Sequence, residues 1–287
     1  MTRLSQLIDA ATTALAEAGV AAPRVDAELL AAHATGTDRG RLGFVEAGPH
    51  FAARYDELIA RRAQRVPLQH LVGTAPFGPV EVHVGPGVFI PRPETEALLE
   101  WALAQRFPNR PLIVDLCTGS GALALALSKN WPDARIIAVD DSAPALEYAR
   151  RNLVDTGVEI VCADVTEPGL LPELEGSVDL LVANPPYIPD GAPLEPEVGE
   201  HDPAHALFGG PDGMRVIDAI AELGSSWLRT GGLSAVEHDD TTADRTVECF
   251  ERTERFHDIT ARRDLAGRPR FVTARRRQRV RIAARDE

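Results

Sequence analysis

Short apolar runs alternate with helix-like segments along the chain from about residue 88 onward. The runs at 112–116, 136–139 and 178–183 have the length of buried strands, and an Ala/Leu-rich segment follows the first of them. Strands that alternate with helices indicate a mostly parallel sheet with helices packed on its faces. We therefore expect an α/β domain built on a twisted, doubly wound sheet.

The N-terminal part of the chain has a different pattern, in which apolar positions recur at helical spacing. We expect one helix capped by Ser5, a second near residues 25–32 and a third from about 52 to 65. Alternating valines just after these helices predict a hairpin. The expected division is a helical domain at 1–75, a hairpin linker at 76–87, an α/β domain at 88–275 and a basic tail at 276–287.

A rigid, polar turn follows the apolar run at 178–183. It consists of Asn184, Pro185, Pro186 and Tyr187. The prolines fix the backbone and remove two N–H donors, and the residue before a proline is kept out of the helical region. An amide oxygen and nearby carbonyls can accept hydrogen bonds from an NH₂ group, and an aromatic ring can pack on a flat one. The turn predicts a site for a planar amide or amino group, with a plain strand-ending turn as the alternative.

A glycine motif lies between the strand that ends near Asp115 and the Ala/Leu-rich helix. Gly119 and Gly121 form a G-x-G pair in this turn. Glycines let a ligand approach the backbone closely, and the helix N-terminus offers free N–H groups. The full dinucleotide pattern is absent, because Ala124 stands where its third glycine would be.

Acidic residues end the next two apolar runs. The spacing between Gly121 and Asp140 is one at which a carboxylate at a strand end can accept both ribose hydroxyls. The alternative is a solvated turn or a helix cap, and Asp141 or Ser142 could be that cap. Asp164 ends a third run and has the same alternatives. We expect these carboxylates, the glycine loop and the proline turn to lie along one edge of the sheet.

This order of motifs resembles the class I S-adenosylmethionine-dependent methyltransferases, and the turn at 184–187 resembles that of amino-methyltransferases acting on planar nitrogen. Residues 89–96, with the pattern F-x-P-R-x-E-T-E, are similar to the HemK/PrmC family, as are residues 65–73 and 264–270. Members of that family are protein-(glutamine-N5) methyltransferases that modify the GGQ-loop glutamine of class I peptide chain release factors. The resemblance extends over roughly residues 1–275.

The resemblance implies a class I Rossmann-like fold, S-adenosyl-L-methionine as methyl donor and S-adenosyl-L-homocysteine as product. It also implies that the turn holds the acceptor amide. The implied catalytic and substrate-binding residues are Asn184, Pro185, Pro186 and Tyr187. The implied cofactor-binding residues are Phe89, Pro91, Asp115, Cys117, Thr118, Gly119, Ser120, Gly121, Asp140, Asp164, Val165 and Asn184. By the same resemblance, the helical domain at 1–75 would recognise the substrate and the domain at 88–275 would be the methyltransferase domain. The Pro- and Gly-rich stretch at 188–213, which we expect to be a long loop beside the turn, would help to cover the substrate.

Cys117 is one departure from the family pattern, which has glycine at the first position of the loop. A small side chain can be accommodated there if its φ is negative. The departure bears on cofactor affinity and not on cofactor identity.

The charge is unevenly distributed, with a net charge of −13 overall. Residues 1–80 are neutral, residues 81–260 carry −20 and residues 261–287 carry +7. A strongly negative catalytic region opposes stable nucleic-acid binding and suits a protein partner with a basic surface. We interpret the arginine-rich run at 275–281 as a frayed, solvated end, with an RNA-contacting patch as the alternative.

Other residue classes limit the function further. No apolar run approaches the roughly 20 residues that span a bilayer and no signal segment is present, so we expect a cytoplasmic protein without membrane contacts. Three widely spaced cysteines are typical of reduced thiols. Pro203 separates His201 from His205, no HExxH pattern occurs, and we predict no metal. His238, in an acidic cluster at a strand end, is interpreted as a structural turn residue, with a functional role as the alternative.

Other functions fit part of the pattern. A nucleic-acid amino-methyltransferase could share the turn, but it would need a basic face, and the N-terminal region is neutral. A glutamine methyltransferase for a ribosomal protein would share the chemistry. A non-catalytic binding module is disfavoured because both halves of a site are present, and an oxidoreductase is supported by fold analogy alone.

Overall fold

The structure is a computed structural model that describes residues 3–45, 48, 50–107 and 109–278. The helices are α1 (Arg3–Glu17), α2 (Pro23–Thr35), α3 (Phe51–Ala63), α4 (Leu68–Val72), α5 (Glu96–Leu103), α6 (Ala122–Asn130), α7 (Ala143–Asn152), α8 (Pro196–Gly199), α9 (Arg215–Trp227) and α10 (Ala243–Arg252). The strands are β1 (Thr74–Phe77), β2 (Val80–His83), β3 (Leu112–Leu116), β4 (Arg135–Asp140), β5 (Glu159–Cys162), β6 (Val178–Ala183), β7 (Leu228–Glu237), β8 (Phe256–Arg263) and β9 (Pro269–Arg276).

Seven strands form one mixed sheet in the order β5-β4-β3-β6-β7-β9-β8. The first five in this order are parallel, and β9 pairs antiparallel with both β7 and β8. The chain runs outward from β3 to β5 and then returns to the other side of β3 as β6. This reversal is the topological switch point of a doubly wound fold. The expected Rossmann-like α/β architecture is confirmed.

The central strands are apolar because both faces of the sheet are covered. Every residue of β6 is buried, and so is every residue of β3 after Leu112. Parallel strands with helices on both faces have nearly continuous apolar sequences, in contrast to the alternation of a half-exposed strand. Helix α6 packs here through alternating alanine and leucine, and seven of its nine residues are buried.

The chain divides into two compact units. One unit contains the chain up to Thr74, together with Val84–Pro86 and Pro193–Asp202. The other contains Ala75–His83, Gly87–Ala192 and the chain from Pro203 onward. The segment Pro193–Asp202 lies within the long stretch that we expected to be a single loop after the proline turn. It contains the short helix α8 and belongs to the helical unit, which sequence spacing alone did not indicate.

The helical unit is built around α1, α2 and α3, as the sequence predicted. Leu15 and Leu30 are fully buried at its centre, and the buried Tyr55 hydroxyl donates a hydrogen bond to the Ala27 carbonyl (2.8 Å). The prediction that Ser5 caps the first helix is wrong, because α1 already includes Arg3. Ser5 lies inside the first turn, where the apolar spacing gives the same helix but not its start.

The arginine-rich end is ordered further than expected. Arg275 and Arg276 are the last residues of β9, and Arg276 is buried with its guanidinium donating to the Arg255 carbonyl (3.3 Å). The interpretation of a solvated end is therefore wrong for these two residues, because the neighbouring strands pair with them. Residues 279–287 of the basic tail lie outside the described residues.

A buried ion pair joins two elements of the helical unit. Arg62 of α3 donates from Nε to Asp26 Oδ2 of α2 at 2.7 Å, and the two side chains are only 6% and 9% exposed. The Nη2 atom of Arg62 also contacts Glu197 Oε1 at 2.9 Å, which ties the segment Pro193–Asp202 to the same cation. Removing one member of a buried pair leaves the other charge without compensation.

No helix among the described residues is long and apolar enough to cross a membrane.

We expect Arg62→Ala to lower the free energy of unfolding by about 3 kcal/mol, because Asp26 would remain buried as an unpaired carboxylate. Urea unfolding followed by circular dichroism measures the change. Arg41→Ala is the control, since the Arg41–Asp38 pair is separated by 3.9 Å and its side chains are 76% and 86% exposed. That control should change stability by less than about 0.5 kcal/mol. Equal effects of the two substitutions would contradict the role given to the buried pair.

Candidate active site

Two neighbouring parallel strands deliver the two predicted motifs to the same edge of the sheet. In the pairing of β3 with β6, Leu116 lies opposite Ala183. The next residues along the chain, Cys117 and Asn184, therefore leave the sheet side by side. Ligands of open α/β sheets bind at this carboxyl edge, next to the switch point.

The two glycines of the loop have different structural roles. Gly119 has φ +56°, and a Cβ built on it would meet no atom within 4 Å, so its backbone faces open space. Gly121 has φ +81°, and a Cβ there would lie 3.0 Å from Leu153 Cδ1 and 3.5 Å from Ala149 Cα. The second glycine thus allows α6 to pack closely against α7, while the first exposes backbone to a ligand.

Cys117 adopts the left-handed conformation, with φ +57°. The condition of a negative φ, under which a small side chain is readily accommodated, is therefore not met. The first loop position must turn the chain out of β3 while the Thr118 N–H bonds the Val139 carbonyl (3.0 Å), and this turn uses a conformation that suits glycine. For a non-glycine residue, the crowding of Cβ in this region costs about 1–2 kcal/mol.

Asp115 is a fully buried carboxylate at the end of β3. Its Oδ2 accepts hydrogen bonds from the Thr118 hydroxyl (2.5 Å) and the Ala124 N–H (3.1 Å). Its Oδ1 is buried and has no hydrogen-bond partner among the described residues. Burial raises the pKa of Asp115 to about 7, against the lowering effect of the two hydrogen bonds. An ammonium group of a ligand would satisfy the orphaned oxygen.

Asp140 ends β4 and holds the glycine loop in place. Its Oδ2 accepts from the Gly119 N–H (2.8 Å), and its Oδ1 accepts from the Ser142 N–H (2.9 Å). Burial raises the pKa of Asp140 despite these bonds. Ser142 is the cap of α7, as one of the sequence alternatives stated, and its hydroxyl accepts from the Ala145 N–H (3.3 Å). Each carboxylate oxygen retains a lone pair for a further donor.

The remaining residues that the sequence suggested for cofactor binding are Asp164, Val165, Phe89 and Pro91. Asp164 Oδ1 accepts from the Thr166 N–H and hydroxyl, both at 2.7 Å, and these bonds lower its pKa. Val165 is buried beside it. Phe89 is half-buried, and the Arg92 guanidinium lies 4.9 Å from its ring centroid. Half-buried Pro91 lies between the two in the chain.

Several of these carboxylates converge on the loop. The pKa of the Cys117 thiol is raised well above its ordinary value by desolvation and then by the charges of Asp140, Asp115, Asp141 and Asp164. The alignment of acidic strand ends with the glycine loop, expected from sequence, is thus present in the structure. A neutral thiol at this position adds no charge to the site.

The side chain of Asn184 is held by a threonine from a distant segment. Its Nδ2 donates to Thr95 Oγ1 at 3.1 Å. This is the hydrogen bond that its side chain makes among the described residues, so Oδ1 remains available as an acceptor. Pro185 is buried, whereas Asn184 and Pro186 are half-buried, so the turn is partly open to a substrate.

Tyr187 is tied down through its hydroxyl, which donates to Glu237 Oε1 at 3.0 Å. Glu237 is the last residue of β7 and is 1% exposed. Burial raises the pKa of Glu237 to about 7, while hydrogen bonds with Thr95 and Tyr187 and the charge of Arg270 act in the opposite direction. The ring of Tyr187 packs on the core of the sheet, so the side chain is held both by this packing and by the hydrogen bond of its hydroxyl.

Two further glycines that sequence reasoning missed bring the long loop back against the turn. A Cβ on Gly209 would lie 2.5 Å from the Pro186 carbonyl oxygen, and one on Gly213 would lie 2.1 Å from the Tyr187 carbonyl oxygen. Backbone hydrogen bonds between Ile188 and this returning segment fix the same approach. The clustering of glycines at 209–213 was the available sequence signal. Thr95, Glu237 and Arg270 were also missed, because no local pattern links them to the turn.

The chain matches known families over most of its length. Residues 6–73 match the PrmC N-terminal domain, and residues 81–200 match the methyltransferase small domain. The chain is 66% identical over 277 residues to the release factor glutamine methyltransferase of Mycolicibacterium smegmatis, covering 96% of this chain and 99% of that protein. This chain belongs to the release factor glutamine methyltransferase family. The resemblance to HemK/PrmC is therefore confirmed.

Other members of the family are similar over the same extent. The release factor glutamine methyltransferase of Mycobacterium tuberculosis H37Rv is 64% identical, covering 95% of this chain and 91% of that protein. That of Corynebacterium glutamicum is 46% identical, covering 96% and 100%. Among solved structures, the ribosomal protein L11 methylase of Lactobacillus delbrueckii subsp. bulgaricus has a TM-score of 0.45 and 19% identity over 69% of this chain and 86% of that one. A likeness that distant adds nothing to the family assignment.

His238 directly follows β7, the strand that ends at Glu237, and is fully buried. Its Nδ1 lies 2.7 Å from the Asp239 carbonyl oxygen, and its backbone N–H donates to the Arg270 carbonyl (2.9 Å). Burial lowers the pKa of His238. Within the described residues, no group of three or more His, Cys, Asp or Glu side chains could hold a metal ion.

We expect Cys117→Gly to be about 1 kcal/mol more stable than Cys117→Ala, because both remove the sulfur but only alanine keeps a Cβ at positive φ. Urea unfolding of the two variants measures this difference. Cys162 of β5, which is not among the positive-φ residues, is the control position. There the order should reverse, with alanine more stable than glycine by roughly 0.5–1 kcal/mol. Greater stability of alanine at both positions would contradict the left-handed backbone at Cys117.

Proposed function

We propose that this methyltransferase transfers a methyl group from S-adenosylmethionine to the side-chain amide nitrogen of the GGQ-loop glutamine in class I peptide chain release factors. The observation that carries the proposal is the side-by-side exit of the glycine loop and the turn at 184–187 from β3 and β6. Its relatives at 60–66% identity are named release factor glutamine methyltransferases. S-adenosylhomocysteine is the product that this donor leaves.

The residues at the loop fit S-adenosylmethionine. The orphaned Oδ1 of Asp115 suits the ammonium group of the methionine portion, and the open backbone face at Gly119 suits a closely approaching chain. Asp140 would accept the ribose hydroxyls with the lone pairs left by its two backbone bonds. Asp164 and Val165 would lie beside the adenine, and Phe89 and Pro91 would close over the cofactor.

When it is bound, the cofactor supplies a methyl group on a sulfonium, which is already activated for transfer. The chain's own contribution is therefore orientation of the acceptor. An amide nitrogen is a poor acceptor because its lone pair is delocalised into the carbonyl. Asn184 Oδ1 and the Pro185 carbonyl would accept both hydrogens of the glutamine NH₂ group and stabilise positive charge developing on its nitrogen. Tyr187, fixed by Glu237, would pack against the flat amide.

The charge distribution supports a protein substrate. The segment 81–260 carries a net charge of −20, so it attracts a basic surface and repels phosphate backbones. We assign no general base, because each buried carboxylate at the site already accepts a hydrogen bond from a hydroxyl, Asp115 from Thr118 and Glu237 from Tyr187. The N–H proton of the methylated amide would be lost after methyl transfer. The geometry therefore favours orientation over base catalysis. A translation factor as substrate is consistent with a cytoplasmic enzyme.

The test is mass spectrometry of the GGQ peptide after a release factor has been incubated with the protein and S-adenosylmethionine. We expect a gain of one methyl group on the glutamine and no gain when that glutamine is replaced by alanine. Methylation of a ribosomal protein or of RNA in an extract, without methylation of the release factor, would contradict the proposed substrate.

Asn184→Ala should lower the rate of methyl transfer by about 100- to 1000-fold, because an acceptor for the amide hydrogens is lost from the transition state. Cofactor affinity, measured by calorimetry, should stay within about threefold, since most cofactor contacts lie elsewhere. Asn130→Ala, at the exposed end of α6, is the matched control and should leave both quantities unchanged. Wild-type turnover in Asn184→Ala would contradict the amide-holding role.

Cofactor affinity should fall as the pH drops below about 7, because Asp115 must be ionised to pair with the ammonium group and its pKa is raised to about 7. We expect roughly five- to tenfold weaker binding at pH 6 than at pH 7.5, by calorimetry with S-adenosylhomocysteine. Asp115→Asn should bind weakly at both pH values and lose most of this dependence. The exposed neighbour control, Asp141→Asn, should keep it. Unchanged affinity between the two pH values in the wild type would contradict the assignment.

A further inference from the structure

We propose that Thr95 and Glu237 are positioning residues that fix the orientation of the Asn184 side-chain amide, with Oδ1 directed toward the acceptor nitrogen. Neither residue touches the reacting atoms in this account. The inference rests on the proposed function for the meaning of the site, and on hydrogen bonds of the structure for its geometry.

An asparagine side chain can present either of two opposite groups. Its oxygen accepts hydrogen bonds and its NH₂ group donates them, yet the two are nearly equal in size. A flip of the amide would therefore place a donor where the acceptor glutamine also presents donors, and the holding interaction would become repulsive. Packing cannot select between the two orientations of the Asn184 amide. The selection must come from the residue that hydrogen-bonds the amide group facing away from the substrate.

Thr95 provides that selection. Asn184 Nδ2 donates to its Oγ1 at 3.1 Å, and Thr95 is only 3% exposed. A hydroxyl has one proton to donate, and the Thr95 hydroxyl lies close enough to Glu237 to lower the pKa of that carboxyl, so we infer that its proton is directed at the carboxylate, which can only accept when ionised. Glu237 Oε2 is buried and makes no hydrogen bond to the described residues, so it has lone pairs for that proton. The oxygen of Thr95 then has lone pairs alone to offer Asn184, and Oδ1 is left for the substrate.

Glu237 is itself held firmly. It ends β7, the strand beside β6, where Val236 lies opposite Ala183. Tyr187 donates to its Oε1 at 3.0 Å. The positive charge of Arg270 lowers the pKa of Glu237, and the negative charge of Glu94 raises it. One carboxylate therefore orders two members of the turn: Tyr187 directly, and Asn184 through Thr95.

This network joins two motifs that are 89 residues apart in the chain. Thr95 ends the short helical turn Pro93–Thr95 that leads into α5, in the F-x-P-R-x-E-T-E segment. A hydroxyl is required at this position in our account because it both accepts and donates. Valine has the same shape as threonine without the hydroxyl, and serine keeps the hydroxyl without the methyl group.

The first test compares Thr95→Val with Thr95→Ser in single-turnover methylation of a release factor. For Thr95→Val we expect a transfer rate about 10- to 100-fold lower, with unchanged KM for the release factor and unchanged affinity for S-adenosylhomocysteine. Thr95→Ser should stay within about threefold of the wild type. Thr246→Val is the matched control, since Thr246 is also buried, in α10, and donates to the Thr242 carbonyl. A wild-type rate in Thr95→Val, or equal losses in the valine and serine variants, would overturn the inference.

The second test does not depend on the substrate. The Asn184 side-chain NH₂ signals are assigned in ¹H–¹⁵N spectra with the help of Asn184→Ala, and their exchange with water is measured. We expect slow exchange in the wild type and in Thr95→Ser, and exchange at least about tenfold faster in Thr95→Val, where the hydrogen bond is lost. Unchanged signals and exchange in Thr95→Val would overturn the inference even if release factors proved not to be substrates. Failure to methylate release factors with the expected exchange pattern would contradict only the proposed function.

Discussion

The site depends on the parallel pairing of β3 with β6. Because Leu116 lies opposite Ala183, the segments that follow these residues must emerge together at the carboxyl edge. The strand order brings them together although two other strands separate the motifs along the chain. The helices and the antiparallel strands β8 and β9 complete a core that holds this register. A shift of one residue would turn every side chain of β6 to the opposite face.

Buried carboxylates are the main electrostatic cost of this arrangement. The pKa values of Asp115 and Glu237 are both raised to about 7 by burial. Since the folded protein then holds protons that the unfolded chain releases, these two groups reduce stability as the pH rises from about 4 toward 7. In the proposed site these two carboxylates serve different sides: Asp115, with its unpartnered Oδ1, would meet the cofactor, and Glu237, which accepts from Tyr187, would order the substrate side.

Much of this site could be predicted from the sequence because its main residues lie at strand ends in short, distinctive motifs. Local spacing alone predicted that the glycine loop, Asp140 and the turn at 184–187 lie at strand ends, and their binding roles stay predictions. The φ of Cys117 was not predicted, because the direction of the loop is set by its hydrogen bond to β4. The roles of Thr95 and Glu237 were not predicted either, since a contact between residues so distant in the chain leaves no local pattern.

The arginine run at 275–281 also shows where prediction from sequence fails. Composition alone suggested a solvated end, yet Arg275 and Arg276 pair with neighbouring strands. The segment Pro193–Asp202 likewise belongs to the helical unit through Glu197 and its contact with Arg62, which no property of the loop sequence indicates. Charge patterns describe what a segment can do, whereas pairing partners decide where it lies.

The most direct test of the central claim is a crystal structure of the protein with S-adenosylhomocysteine and a release factor. The account predicts that the nitrogen of the GGQ glutamine lies about 3 Å from both Asn184 Oδ1 and the Pro185 carbonyl oxygen. It also predicts that Asn184 Nδ2 remains bonded to Thr95. A glutamine amide bound away from the turn, or one that faces Nδ2 of Asn184, would contradict the account.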